Sequence, residues 1–142
     1  MTCCDIFEVF DEQNLIKEYT HWKLLIRNRN TTLGNCVAIT KRHMERFSEI
    51  TEEEMAEFQK VVKDVESALK QVFNYDKINY QMLMMKDKHT HFHIVPRYSE
   101  TKQFANQEWT DDGWPKLPVG KKDPVPQETL NQVRDELKKH VF

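Results

Sequence analysis

The feature that most limits how this chain can fold is the stripe Met55, Phe58, Val62, Val65, Leu69 and Val72. Its three- and four-residue steps fit a helix with one apolar face, and such a face has to be buried. The start is marked as well. Thr51 followed by Glu54 is a capping-box pair, and Glu52 and Glu53 suit the positive end of a helix. The stripe is therefore core packing and not a cofactor site. On either side the period shortens to that of strands. Tyr19 to Arg27 and Leu33 to Thr40 predict a hairpin closed by Asn28, Arg29, Asn30, Thr31 and Thr32, and Lys41 to Ser48 leads into the helix. After it, Asn74 to Lys77 turns the chain into a third strand, Ile78 to Met85. A polar turn at Lys86 to Lys88 precedes a fourth, His89 to Arg97.

From Tyr98 to Pro126 no period is visible. A run of that length carrying Trp109, Trp114, Pro115, Pro118 and Gly120 is expected to lie across a site or a partner subunit. Leu130, Val133, Leu137 and Val141 then predict a short amphipathic helix, with Pro126 near its start. The fold class is α+β: one domain over residues 1–142, an antiparallel sheet of four to five strands packed by one long helix and a short C-terminal helix.

Composition works mainly by exclusion. Lys and Arg total 21 against 23 Asp and Glu, for a net charge of −2, so there is no general basic face for nucleic acid. No apolar run is long enough to span a bilayer, and MTCCDIFEVFDE lacks the basic-then-apolar order of a signal or transit peptide. Cys3, Cys4 and Cys36 make no disulfide framework and no zinc-knuckle spacing. Read as incidental reduced thiols, they predict a cytoplasmic protein.

The chemistry lies in His89-Thr90-His91-Phe92-His93-Ile94-Val95-Pro96-Arg97. Alternate side chains of a strand share a face, so His89, His91, His93 and Arg97 are expected on one side, with Phe92 and Ile94 under the helix. A lone histidine on a strand is usually a surface or hydrogen-bonded residue; three in strict alternation call for a reason. Zinc is one. Yet on a regular strand His89 and His93 have Cβ atoms about 13 Å apart, too far for three rings on one ion. The covalent reading uses the same spacing favourably. A central His91 would have an imidazole about 7 Å away along the strand on each side. A neutral imidazole, with an ordinary pKa of about 6.5, is a competent nucleophile toward phosphorus near neutral pH. His93, Lys88 and Arg97 are the donors available to the phosphoryl oxygens.

This run resembles the His-φ-His-φ-His-φ-φ signature of the histidine triad superfamily, φ being hydrophobic, with Thr90 the weak match. Pro96-Arg97, and upstream Ile39-Thr40-Lys41-Arg42-His43 with Phe47 and a capped helix, extend the likeness over about Leu24 to Arg97. The resemblance implies a HIT-like fold whose dimers join sheets, and a nucleotide hydrolase or nucleotidyl transferase acting at a phosphate. It implies His91 as the nucleophile forming a phospho-histidine, with His89 and His93 orienting it and contacting phosphate or leaving group. Asn28 is the candidate ribose contact, its other reading being a plain turn residue. The dinucleoside polyphosphate hydrolases are one similar branch. Looser relatives with a Trp-Pro pair after the motif are another, which Trp114-Pro115 fits. Lys88, Arg97 and Trp114 complete the expected substrate contacts.

Two departures bear on the substrate. Many members hold phosphate with a Gly/Ser/Gln-rich loop, where this chain has Met84-Met85-Lys86-Asp87-Lys88, and a pocket histidine of some branches is Asn35 here. The expected partners are a small nucleotide substrate and a second copy of the chain, without nucleic acid or membrane. No cofactor or metal is required by this reading, and Mg²⁺ could accompany the substrate phosphates. A non-catalytic nucleotide-binding or regulatory module and a metal-dependent hydrolase are the alternatives.

Overall fold

The structure, a computed structural model, describes residues 12–29, 31–120 and 123–142. The predictions for Cys3, Cys4 and most of the N-terminal segment fall outside these residues. The long helix α1, Glu52–Phe73, runs between the expected ends. Thr51 Oγ1 accepts from the Glu54 N–H (3.1 Å) and Glu54 Oε1 accepts from the Thr51 N–H (2.9 Å), so two otherwise orphaned helix-start donors are satisfied. At the other end Asn74, at φ 50, turns left-handed and donates its N–H to Lys70 O.

Five strands make an antiparallel sheet: β1 Leu15–Glu18, β2 Trp22–Ile26, β3 Cys36–Thr40, β4 Lys77–Gln81 and β5 His91–Arg97, in the order β1-β2-β3-β5-β4. Strand β1 comes before the region where a strand was expected to begin, and Tyr19 belongs to the turn after it, its N–H donating to Trp22 O. Register places Leu25, Val37 and His93 side by side across the sheet, and Ile39 beside His91. One face carries Trp22, Leu24, Ile26, Cys36, Ala38 and Ile94, all buried against Val61, Val65 and Leu69 of α1. Phe92 stacks on Phe58 at 4.7 Å between ring centres, and Trp22 lies 4.6 Å from Phe58. Phe92 and Ile94 thus lie under the helix, as the alternation requires. Gly34 sits in the β2–β3 turn at φ 84, a left-handed conformation that favours glycine, and a Cβ there would stand 2.8 Å from Leu69 Cδ2, so that side chain would have to shift.

The opposite face carries a smaller cluster, Leu25, Val37 and Ile39 with Leu15. The C-terminal helix α2, Gln127–Lys138, follows Pro126 and buries Leu130, Val133 and Leu137 in the main core.

Three sequence expectations are corrected. The third strand ends at Gln81, and the chain then leaves the sheet through Met84 at φ 54. The fourth begins at His91, so His89 and Thr90 precede it. The run after Tyr98 is not structureless: it holds a small hairpin, β6 Lys102–Phe104 and β7 Gln107–Trp109, closed by Ala105 and Asn106 at φ 54 and 57.

Candidate functional site

Strand β5 presents His91 and His93 on the face away from α1, their rings edge to face with centres 5.0 Å apart. They line a cleft of about 570 Å³ between the turn after β2 and the loop after β4. The first wall is Arg27, Asn28 and Arg29. The second is residues 83–87, including Met84, Lys86 and Asp87. A cleft of this size suits a small organic ligand.

The hydrogen bonds of His91 define what it can do. Its Nδ1 lies 2.8 Å from the backbone O of His89. A carbonyl oxygen only accepts, so Nδ1 carries the proton and, in the neutral ring, Nε2 is the nitrogen that bears the lone pair. His93 is held in its neutral form. Burial, followed by the charge of Arg27 and the neighbouring His91, pushes its pKa down from 6.5 to about 3.

His89 departs from the expected arrangement. Its ring is buried and points back into the structure, Nε2 donating to Thr40 O at 2.6 Å and lying 3.0 Å from Thr40 Oγ1. Its Nδ1 faces His43 Nδ1 at 3.3 Å. The ring is not in the cleft wall; the residue reaches the site through its carbonyl, which fixes the tautomer of His91. Among the described residues no group of three or more His, Cys, Asp or Glu side chains could hold a metal, and the His43–His89 pair supplies two.

Thr90, the weak match in the motif, is fully buried. Its hydroxyl donates to Met44 O at 3.0 Å and its N–H to the same oxygen at 2.8 Å. A polar side chain is tolerated there because it is satisfied. Those bonds tie the segment before β5 to Met44, the residue that follows the basic turn Lys41-Arg42-His43. Arg42 in turn binds the capping residue Glu54 through Nε (3.2 Å) and Nη2 (2.9 Å).

The remaining expected contacts divide. Asn28 lines the cleft, and its backbone O accepts from Val125 N–H, tying this wall to the segment before α2. Arg97, expected as a phosphate donor, is instead a buried anchor. Its Nε and Nη2 reach Asp111 at 2.7 and 3.1 Å, and Nη1 donates to Asn79 Oδ1 at 2.9 Å. A strand's seventh residue lies too far along its axis to share the site of the first, and the tail supplies a carboxylate there. Lys88 is exposed and outside the wall, which takes Lys86 from the same loop. Trp114 is half-buried in the tail, held by its N–H to Asp111 O, and does not line the cleft. Asn35, fully buried, is structural: Oδ1 accepts from Thr31 N–H, and Nδ2 donates to Ile94 O and Cys36 O.

Arg27 and Arg29 were missed. Parity would have found Arg27, since Lys23, Leu25 and Arg27 alternate on the histidine face.

The HIT domain family model matches residues 11–100, and the chain belongs to that family. It is 35% identical over 69 residues to an uncharacterised HIT-like protein of Methanocaldococcus jannaschii, a match covering 46% of this chain and 54% of that protein. The chain thus spans about half the length of this curated relative. Its fold is similar to a hypothetical histidine triad nucleotide-binding protein from Sulfolobus tokodaii (TM-score 0.71, 21% identity, 99% of this chain and 91% of that one). It is similar also to a diadenosine triphosphate hydrolase of Plasmodium falciparum solved with Cyclomarin A (TM-score 0.66, 12% identity, 91% and 76%).

Proposed function

We propose that the protein is a nucleotide hydrolase or nucleotidyl transferase that acts at a phosphate through a covalent phospho-histidine on His91. The observation that carries this reading is the Nδ1–H of His91 on the His89 carbonyl, which leaves Nε2 as the basic nitrogen of a ring that lines a cationic cleft. The Nε2 lone pair forms a bond to phosphorus as the bond from phosphorus to the leaving group breaks. The leaving group departs with that electron pair and takes up a proton. The His89 carbonyl stabilises the positive ring formed in this step. Water, or another acceptor, then attacks phosphorus and returns the electron pair to Nε2. His93, kept neutral, offers a ring N–H to a phosphoryl oxygen without competing for protons.

His91→Ala tests the reading. The variant should fold and still bind nucleotide, since the arginines and His93 remain. Its turnover should fall by roughly three or more orders of magnitude. Mass spectrometry of the wild type after a nucleotide panel should show an acid-labile, base-stable adduct that the variant lacks. Near-normal turnover by His91→Ala would remove His91 as nucleophile, and wild type inert toward every nucleotide while still binding one would favour a regulatory binding module.

A further inference from the structure

The cleft holds more positive charge than one phosphate needs. Arg27, Arg29 and Lys86 line it against the single carboxylate of Asp87, an excess of two positive charges before any carried by the histidines. His93 on the floor adds no positive charge, because burial and Arg27 keep it in its neutral form. A phosphodiester or phosphoramidate phosphorus brings about one negative charge, so part of the cationic wall faces something further along the ligand.

Register says where. Strands β2 and β5 are each antiparallel to β3, hence parallel to one another, and Leu25, Val37 and His93 lie in one row. Arg27 is two residues beyond Leu25, its N–H donating to Asn35 O at 2.9 Å, in the row next to Val95. It therefore stands past His93 on the side away from His91, about 7 Å further along the strand axis by the rise per residue. Its Nη1 donates to Thr31 Oγ1 at 3.3 Å, which steadies the guanidinium at the cleft wall. An anion whose first phosphorus faces His91 Nε2 would carry its next phosphate over His93 toward this group.

Resting on the function proposed above, we infer that Arg27 is a specificity-determining residue that binds the second of two linked phosphates, so that the site selects phosphoanhydrides over single-phosphate ligands. A guanidinium presents a planar fork of donors to phosphate, which a lysine does not, and retains charge at all working pH. The competing view makes Arg27 a brace for the turn through Thr31.

The two views separate in a binding experiment that needs no turnover. The full chain, labelled at histidine, is titrated with inorganic phosphate and with inorganic pyrophosphate, and the imidazole resonances of His91 and His93 report occupancy. Wild type should bind pyrophosphate about tenfold or more tightly than phosphate, the value of one added charge-assisted contact. Arg27→Gln should bring that ratio to within about threefold while phosphate affinity itself moves little, and Arg27→Lys should keep part of the preference. A wild-type ratio near one, or a preference that survives Arg27→Gln, overturns the assignment. His91→Ala serves as the separating control, since it should keep the pyrophosphate preference. If wild type formed no adduct yet showed the preference and lost it in Arg27→Gln, the catalytic reading would fail and the role of Arg27 would stand.

Discussion

At the scale of single residues, the site works by restricting proton positions. The His89 carbonyl fixes the proton of His91 on Nδ1, and burial with Arg27 nearby strips His93 of its second proton down to about pH 3. The second effect has a thermodynamic consequence. Between about pH 3 and the ordinary imidazole value of 6.5, the unfolded chain binds a proton on His93 that the folded chain does not. Stability contributed by His93 is thus fully present above pH 6.5 and declines as pH falls below it. Urea unfolding followed by tryptophan fluorescence from pH 4 to 8 should show that decline in wild type. His93→Gln should flatten it, and an unchanged slope would contradict the assigned shift. Asp111 acts in a lower window. Burial alone would raise its pKa, but Arg97 and the N–H groups of Tyr98 and Gly113 outweigh it and hold the carboxyl below its usual range. Its contribution is lost only as pH falls from the carboxylate range through that lowered value.

At the scale of elements, the helix start and the tail each hang on one side chain. Thr51→Ala removes the cap from the Glu54 N–H and should cost about 1 kcal/mol in urea unfolding. Because Glu54 also binds Arg42, hydrogen exchange should rise at both the first turn of α1 and residues 41–44. Asp111 joins Arg97 of β5 to the segment after the small hairpin β6–β7, with both side chains buried. Asp111→Ala leaves a buried guanidinium without its carboxylate and should cost roughly 3–5 kcal/mol. Hydrogen exchange should then accelerate over residues 98–114 while turnover at His91 persists, since the pair lies outside the cleft. A loss of turnover as large as that of His91→Ala would return Arg97 to the catalytic site. The hairpin itself was hidden from pattern reading. Its turn places Ala105 and Asn106 at positive φ, where Asn-Gly or Gly-rich pairs are the usual signal, and its strands are only three residues each.

At the scale of the whole molecule, the open sheet leaves β1 and β4 as edges. An edge strand exposes unpaired backbone groups, and pairing with its twin in a symmetric dimer removes them. We expect light scattering to give about twice the chain mass of 17.1 kDa. A monomer at micromolar concentration would dismiss this, together with any reach of the Trp114 segment toward a neighbouring cleft. The covalent reading also requires no metal in the chain. Dialysis against EDTA should leave folding and adduct formation intact. One zinc per chain lost together with activity would favour the metal-dependent alternative.

What the sequence determined by itself was periodic. The apolar stripe and the capping pair Thr51–Glu54 located α1, although Met55 at its start is exposed and Val61 and Ala68, outside the stripe, are buried; alternation along His91 to Ile94 set which side chains face the cleft. Both follow from backbone geometry, which repeats and so leaves a mark in the chain. Only the tertiary structure decided partners. It turned the His89 ring inward onto Thr40, spent Arg97 on Asp111 and brought Arg27 and Lys86 into the wall instead of Lys88 and Trp114. Those outcomes depend on where β2, the loop after β4 and the tail end up relative to β5. Each involves residues far apart in sequence, whose mutual distance has no period to betray it.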